Sequence, residues 1–476
     1  MRIASNIIET IKAKADIVEV IGEYVHLTKK GQNFIGLCPF HNDSTPSLTV
    51  SSAKGIYKCF ACDASGDVIK FLQEYLNISF VEAVKMLAKK YGVEIPEDSY
   101  SSIGDEDQRK RESMFIINDY ASKYYAENLF ADTDEARKAL YYATNRWPQD
   151  FIRTFGIGYA SNSWDSFSLW ANGKGLDKDL MLELGLVKEK STNDDVYDTF
   201  RGRIMIPIRD KQHRIIAFTA RLLPDILAHD PNAPKYINSS TSLIYDKGNS
   251  LFGIDVAWNV ASKAGVMNLV EGAPDVMRLQ VIGASNTVAP LGSSWTEAQL
   301  SMLKRITDRL SIIPDSDIPK DGEHFGVGFT SAMRTGKLAL SLGFIVTIQE
   351  IPIGDWKNDP DSYLVSKDKL DELTRQDFVM WYASKVINLN GENIPQQAKA
   401  IHEVVELVKT IPDKVLQESY TDKLINVYGH ENMWKREIMG VQSIPAPVAS
   451  PAISDEEYAG LFKGTEIKVG NNCYYG

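Results

Sequence analysis

The chain has 476 residues, 44% of them hydrophobic, and a formal net charge of -11, enough length and apolar content for roughly two to four domains with sizeable cores. The acidic balance excludes whole-molecule attraction for nucleic acid, so such binding has to come from local basic patches. Four cysteines in so long a chain exclude a disulfide scaffold, and no run of about 18 apolar residues offers a membrane span.

From the N-terminus, Ile7, Ile8, Ile11, Ile17 and Val18 are spaced as in amphipathic helix, without the continuous apolar stretch of a signal peptide. The expected location is cytoplasmic, with no membrane partner. Next, "CPFH" supplies Cys38 and His41, and "CFAC" supplies Cys59 and Cys62. Two short knuckles of this kind give zinc four nitrogen or sulfur ligands in a tetrahedron. With all four positions filled, one structural Zn²⁺ is expected, leaving no site for water. Phe34, Phe40, Tyr57 and Phe60 are interleaved with Lys29, Lys30, Lys54 and Lys58. That mixture lets bases stack while lysines follow phosphates, and it nominates Lys30, Phe34, Lys58 and Phe60 as template contacts. The alternative is that the aromatics wall the metal site.

Residues 31–73 as a whole, in ligand pattern and in the residues between the ligands, resemble the zinc-binding domain of bacterial-type replicative DNA primases. The resemblance implies that this domain engages single-stranded template.

The first unit is expected to end at 96. "EDSYSSIGDEDQRKRES" at 97–113 is polar and charged, and reads as a linker over 97–112. Helical spacing resumes in "MFIINDYASKYYAENLF". From about residue 200 short β-branched runs follow, "RIMIPI", "RIIAFTARLL", "GVMNLVEG", "LSIIPDSD" and "FIVTIQEI", with helical stretches at 274–282, 296–307 and 329–342. The alternation implies a largely parallel sheet covered on both faces. Residues 368–440 read as helical, with "FVMWYASKVI", "AIHEVVELVKTI" and "SYTDKLINVYG" as the helices. They look like the tail of the preceding domain, with no separate helicase-binding domain beyond. After 441 come a linker and an unassigned tail, in which "GTEIKVG" reads as a strand and Cys473 as a free thiol.

Glu271 follows apolar "MNLV", and Gly272 and Pro274 turn the chain into a helix. A glutamate at the C-terminal edge of a parallel sheet stands where α/β folds bind ligands. Asp275 fits either that site or the dipole of its helix. Asp315 and Asp317 in "PDSD", two apart at another strand end, either share a divalent cation or form a solvated turn. Asp359 and Asp361 in "KNDPDSYL" are either a second metal position or a Pro-centred turn that caps a helix. Between 200 and 222, Arg201, Arg203, Arg209, Lys211, Arg214 and Arg221 face a single acid, a patch able to neutralise a template backbone and a triphosphate; a solvated strand face accounts for some of them equally well.

Glu271, Asp315 and Asp317 resemble the TOPRIM fold of topoisomerases, primases and related nucleases, which implies Mg²⁺ or Mn²⁺ around the reacting phosphate, with the glutamate as ligand or proton-transfer group; Asp275, Asp359 and Asp361 stand beside them as further candidate metal ligands. Ala273 and Pro274, and the loop "DSDIPKDGEHFGVGF" with Ser316, depart from the usual pattern. The segment 200–250, with "PKYINS" and "KG", is similar to the basic motif of the primase polymerase core, and "RWPQDFIRTFGIGYA" to its start. By position, Arg201, Arg203, Arg221, Lys235, Tyr236, Asn238 and Lys247 become nucleotide or template contacts.

The expected fold class is multidomain α+β and α/β: a zinc ribbon (1–96), a mixed N-terminal core subdomain (113–252), a TOPRIM α/β parallel-sheet subdomain (253–367) and a helical subdomain (368–440). The resemblance implies a DNA-dependent nucleotidyltransferase that makes short RNA primers from ribonucleoside triphosphates on single-stranded DNA, with a replicative helicase as a family-level partner. The rival readings are a TOPRIM single-stranded-DNA-binding accessory protein and a TOPRIM nuclease.

Overall fold

The computed structural model describes residues 5–93 apart from 42, 44, 63, 77 and 79, then 102–190, 195–354 apart from 320, 322 and 323, 358–388 and 394–440. The expected tail strand and Cys473 lie outside these. Two compact units divide between Trp381 and Tyr382.

In the first unit, helices Ser5–Lys14 and Ile17–Gly22 precede an antiparallel sheet whose five strands, Thr28–Lys30, Asn33–Gly36, Leu48–Ser51, Ile56–Cys59 and Ser65–Gly66, lie in chain order. Helices Val68–Leu76 and Phe80–Lys90 follow. Strand alternation sends Tyr57 and Cys59 inward and Ile56 and Lys58 outward. The core gathers Leu48, Val50, Tyr57, Phe71 and Val84, all fully buried.

Helix Ser102–Leu129 includes most of the stretch expected to be a linker. Its Glu, Gln, Lys and Arg residues are poor core material but good helix formers, and they run directly into the apolar periodicity that starts at Met114. A four-stranded antiparallel sheet packs beside it, in the order Tyr236–Asn238, Ile215–Leu222, Arg203–Arg209, Gly158–Ala160. Both faces are covered. Ile204, Ile206 and Ile208 pack with Trp147, Ile152 and Ile157, while Met205, Phe218 and Ala220 pack with Met114, Ile117 and Tyr125.

The next sheet has six strands, ordered Leu251–Phe252, Thr287–Pro290, Met267–Leu269, Arg309–Ile312, Ile345–Gln349, Arg375–Asp377. The middle four are parallel and the two outer ones antiparallel. Parallel strands bring their C-terminal ends to one edge, where helices Ala273–Val281 and Val327–Ser341 begin close to the acids. The expected parallel sheet is thus present, with antiparallel strands at its borders and with Thr287–Pro290 as a strand the sequence pattern did not announce.

The second unit takes up the end of helix Phe378–Asn388 and adds Ile394–Lys409, Lys414–Tyr428 and Glu431–Met439, burying Val404, Leu424 and Trp434 completely. No helix among the described residues is long and apolar enough to cross a membrane.

Candidate functional site

The ligand atoms of Cys38, His41, Cys59 and Cys62 all lie within 4.8 Å of one another. Cys38 Sγ is 3.8 Å from Cys62 Sγ, and Cys59 Sγ is 3.9 Å from His41 Nδ1. Zn–S bonds of about 2.3 Å put tetrahedral ligands about 3.8 Å apart, so the donor set fits zinc in spacing as well as in chemistry. Ala61 and Cys62 donate their N–H groups to Cys59 Sγ at 3.3 and 3.4 Å. Asp43 stands behind the site, accepting from Cys38 N at 2.8 Å and from the Ser47 hydroxyl at 2.5 Å, with Oδ1 3.8 Å from His41 Nε2. These hydrogen bonds, the Ser47 hydroxyl foremost, hold its carboxyl down to about 2 and leave an anion to orient the imidazole.

On the outer face of this sheet the register aligns Ile35, Thr49 and Lys58, with Lys30 opposite Asn33. Phe60 is 71% exposed and carries Lys58 Nζ 5.6 Å from its ring centre. Phe34 is a correction: it is paired with Val50, which in turn is paired with Tyr57, so it faces inward and packs on the core. Phe40 also serves the core, edge-on to Phe71 at 5.5 Å.

At the edge of the parallel sheet, Glu271 Oε1 accepts the Asp315 N–H at 3.4 Å. The two acids leave neighbouring strands, joined just before by Ile313 N to Leu269 O at 2.9 Å. Asp317 Oδ2 accepts from Gly328 N at 2.9 Å. Gly326 and Gly328 are required here: a Cβ on either would stand 2.4 Å from the carbonyl oxygen of Asp317 or Asp315. The loop after Asp317 therefore returns to a helix start that presses on both aspartates.

Backbone pairing of Ser316 with Asn358 brings the third acidic stretch alongside. Asp359 takes the capping alternative. It caps helix Pro360–Tyr363, accepting from Ser362 N at 2.8 Å while Ser362 Oγ accepts from its own N–H at 3.1 Å. Asp361, 6% exposed, is ion-paired to Arg146 and to Arg278, whose Nε lies 3.4 Å from Oδ1. Asp275, equally buried, accepts from Gly272 N at 3.0 Å and Asp361 N at 3.1 Å. Burial first, then Asp315, Asp359 and Asp361, push its carboxyl well above the usual range. Mutual repulsion of this kind is what a hard divalent cation relieves, so the residues present fit Mg²⁺ or Mn²⁺. Among the described residues only the zinc set gathers three or more ligand atoms within 4.8 Å; an ion among the carboxylates would complete its shell with water or phosphate oxygens.

The basic residues separate into exposed and structural ones. Arg221 donates to the Tyr236 hydroxyl at 2.7 Å and stacks 5.3 Å from Tyr142, and Arg146 stacks on the same ring at 5.6 Å. Arg201 lies 3.9 Å over Trp164, itself 62% exposed. Lys235 is exposed and Lys247 half-buried. Arg203 is a correction: 6% exposed, it spans the strands to Ala220 O and Lys235 O at 3.4 and 3.5 Å, and burial pulls it down to about 10. Asn238 is tied by its amide to Leu291 O at 2.9 Å. Arg146 and Arg278 were not nominated by the sequence pattern. Arg146 lies in the quoted "RWPQD" stretch, whereas Arg278 is an ordinary helical arginine with no sign of burial.

Three family models match: CHC2 zinc finger at 3–102, DNA primase catalytic core, N-terminal domain, at 124–258, and DnaB-helicase binding domain of primase at 377–429. The last falls on helices expected to be only the tail of the core, and overturns that expectation. The chain is 34% identical over 432 residues to the DNA primase of Clostridium acetobutylicum, covering 88% of this chain and 68% of that one. Against the DNA primase of Halalkalibacterium halodurans identity is 35% over 421 residues, covering 86% and 67%. The Aquifex aeolicus primase structure, with zinc-binding and RNA polymerase domains, superposes with a TM-score of 0.56 at 29% identity, covering 91% of this chain and 99% of that one. The RNA polymerase domain of Mycobacterium tuberculosis primase in complex with double-stranded DNA gives 0.54 at 26% identity, covering 66% and 98%.

Proposed function

The chain belongs to the DnaG-type bacterial DNA primases, enzymes that synthesise RNA primers on DNA, and we propose that Glu271, Asp315 and Asp317 carry its catalysis. The observation behind this assignment is the meeting of Glu271 and Asp315 at one sheet edge, with Asp275 connecting it to Asp361 and its partner Arg146. A Mg²⁺ or Mn²⁺ ion held there supplies two things, a lowered proton affinity at the attacking 3′-hydroxyl and neutralisation of charge on the departing pyrophosphate.

The protein's own part is positioning. Arg221, braced by Tyr236 and Tyr142, offers an oriented guanidinium to a triphosphate oxygen, and Lys235 and Lys247 add mobile charge along the template. Arg201 on Trp164 pairs a cation with a stacking surface, the combination that holds single strands. In the zinc domain Lys30, Lys58 and Phe60 form a second such surface for the template. Ribonucleoside triphosphates are the substrates on this reading, and the helices at 377–429 engage a replicative helicase.

Asp315→Asn tests the assignment. With single-stranded DNA, ribonucleotides and Mg²⁺ or Mn²⁺, labelled primers are expected to vanish while single-strand binding persists. Retained synthesis excludes Asp315 as a metal ligand.

A further inference from the structure

Arg278 lies on helix Ala273–Val281 with its side chain 15% exposed, an unusual place for a residue that helices ordinarily leave in water. Its Nε donates to the Asp361 carbonyl oxygen at 2.9 Å and stands 3.4 Å from Asp361 Oδ1, while Nη2 donates to the Arg146 carbonyl oxygen at 2.7 Å. Asp275, three residues earlier on the same helix, accepts the Asp361 N–H at 3.1 Å. The helix that starts two residues after Glu271 thus grips residue 361 at both its N–H and its carbonyl, and holds residue 146 by its carbonyl. Asp361 already has a counter-charge in Arg146. An arginine wanted only for charge has no need to reach two backbone carbonyls.

What Arg278 holds in place is a pair of cations. Arg146 donates through Nη1 to the Tyr142 hydroxyl and pairs through Nη2 with Asp361, and its guanidinium stacks 5.6 Å from the Tyr142 ring that Arg221 approaches at 5.3 Å. Two arginines meet Asp361 and a third shares the Tyr142 ring, so the cluster has cation to spare for a phosphate. We propose that Arg278 is a positioning residue for nucleotide binding: it ties the Arg146 backbone to the helix that follows Glu271, so that the Arg146 and Arg221 guanidinium groups meet the triphosphate at a fixed distance from the metal-bearing acids. Arg278 does not touch the nucleotide and acts through Arg146, where a small misplacement is enough to weaken a bidentate grip. The inference rests on the assignment of triphosphate and metal to this site and deepens it.

The test is steady-state primer synthesis by the zinc-loaded full chain on saturating single-stranded DNA with Mg²⁺, comparing Arg278→Met, Arg278→Lys and Asp315→Asn with the wild type. A merely structural arginine, once lost, lowers the fraction of active enzyme and hence the apparent kcat, and leaves KM where it was. Arg278→Met is expected instead to raise KM for the ribonucleoside triphosphates about tenfold, the loss of one well-placed hydrogen bond. Arg278→Lys keeps a cation for Asp361 without the planar fork, and so tests the point even where Arg278→Met folds poorly; its KM is expected to rise about threefold. An unchanged KM in both variants, or one restored fully by lysine, overturns the inference, and beside an inactive Asp315→Asn it leaves the polymerase assignment standing. An active Asp315→Asn overturns that assignment and the inference with it.

Discussion

Asp361 sits between the guanidinium groups of Arg146 and Arg278 with 6% of its surface exposed, so its charge is matched before any ion arrives. Removing one partner of a buried pair leaves the rest uncompensated, at about 3–5 kcal/mol. Asp361→Asn is accordingly expected to lower stability by about 3 kcal/mol in urea unfolding and to leave the number of bound Mn²⁺ ions, counted by electron paramagnetic resonance, as in the wild type. Asp315→Asn is expected to lower that number. Loss of an ion in Asp361→Asn would return the residue to the metal ligands. The acid pair at 359–361 was visible in the sequence, but its use was not, because the answer lies in two arginines 215 and 83 residues away. Arg203 illustrates the converse: spacing brings an arginine into a basic strand, and only the fold decides whether it turns out to solvent or spans the sheet.

At the scale of elements, the start of helix Val327–Ser341 is the piece that shapes the site. Gly328 lets that helix touch the Asp315 carbonyl, where a Cβ would sit at 2.4 Å. The obstacle is backbone, so relief requires moving the aspartate loop; overpacking of this kind costs about 1–3 kcal/mol. Gly328→Ala should fall at the upper end of that range in thermal or urea unfolding and also weaken Mn²⁺ binding. Gly173→Ala, with nothing within 4 Å of its added Cβ, should be neutral or stabilising by under about 1 kcal/mol. Equal effects from the two substitutions would remove the close-approach argument. The neighbouring helices and three of the sheet's strands, Met267–Leu269, Arg309–Ile312 and Ile345–Gln349, could be read from the sequence, because each lies in a longer apolar run. Thr287–Pro290 could not: four residues, one of them proline, paired to an outer strand of two residues, carry too little pattern. Helix Ser102–Leu129 was hidden for another reason, since its first turns are charged helix formers with no apolar stripe.

For the molecule as a whole, a net charge of -11 and a template-binding activity coexist because the basic surfaces are local and screening confines each to its own neighbourhood, about 8 Å at physiological salt. The same locality governs stability. The core around Leu48, Tyr57 and Phe71 is separate from those around Trp147 and Phe218, and the short strands of the five-stranded ribbon give it only a few buried side chains, so its stability depends on the metal as well as on that core. Structural zinc contributes about 10–16 kcal/mol that is in effect folding energy. A zinc-selective chelator is therefore expected to raise hydrogen exchange throughout the strands between 28 and 66, while those between 203 and 222 and between 267 and 349 keep their protection. Primer synthesis is expected to fall with the loss of Lys30, Lys58 and Phe60 as an ordered surface, even though Glu271, Asp315 and Asp317 remain folded. Exchange rising equally in all three sheets would mean that the zinc domain and the polymerase core share their stability, and a ribbon that stays protected without zinc would mean that its small core suffices alone.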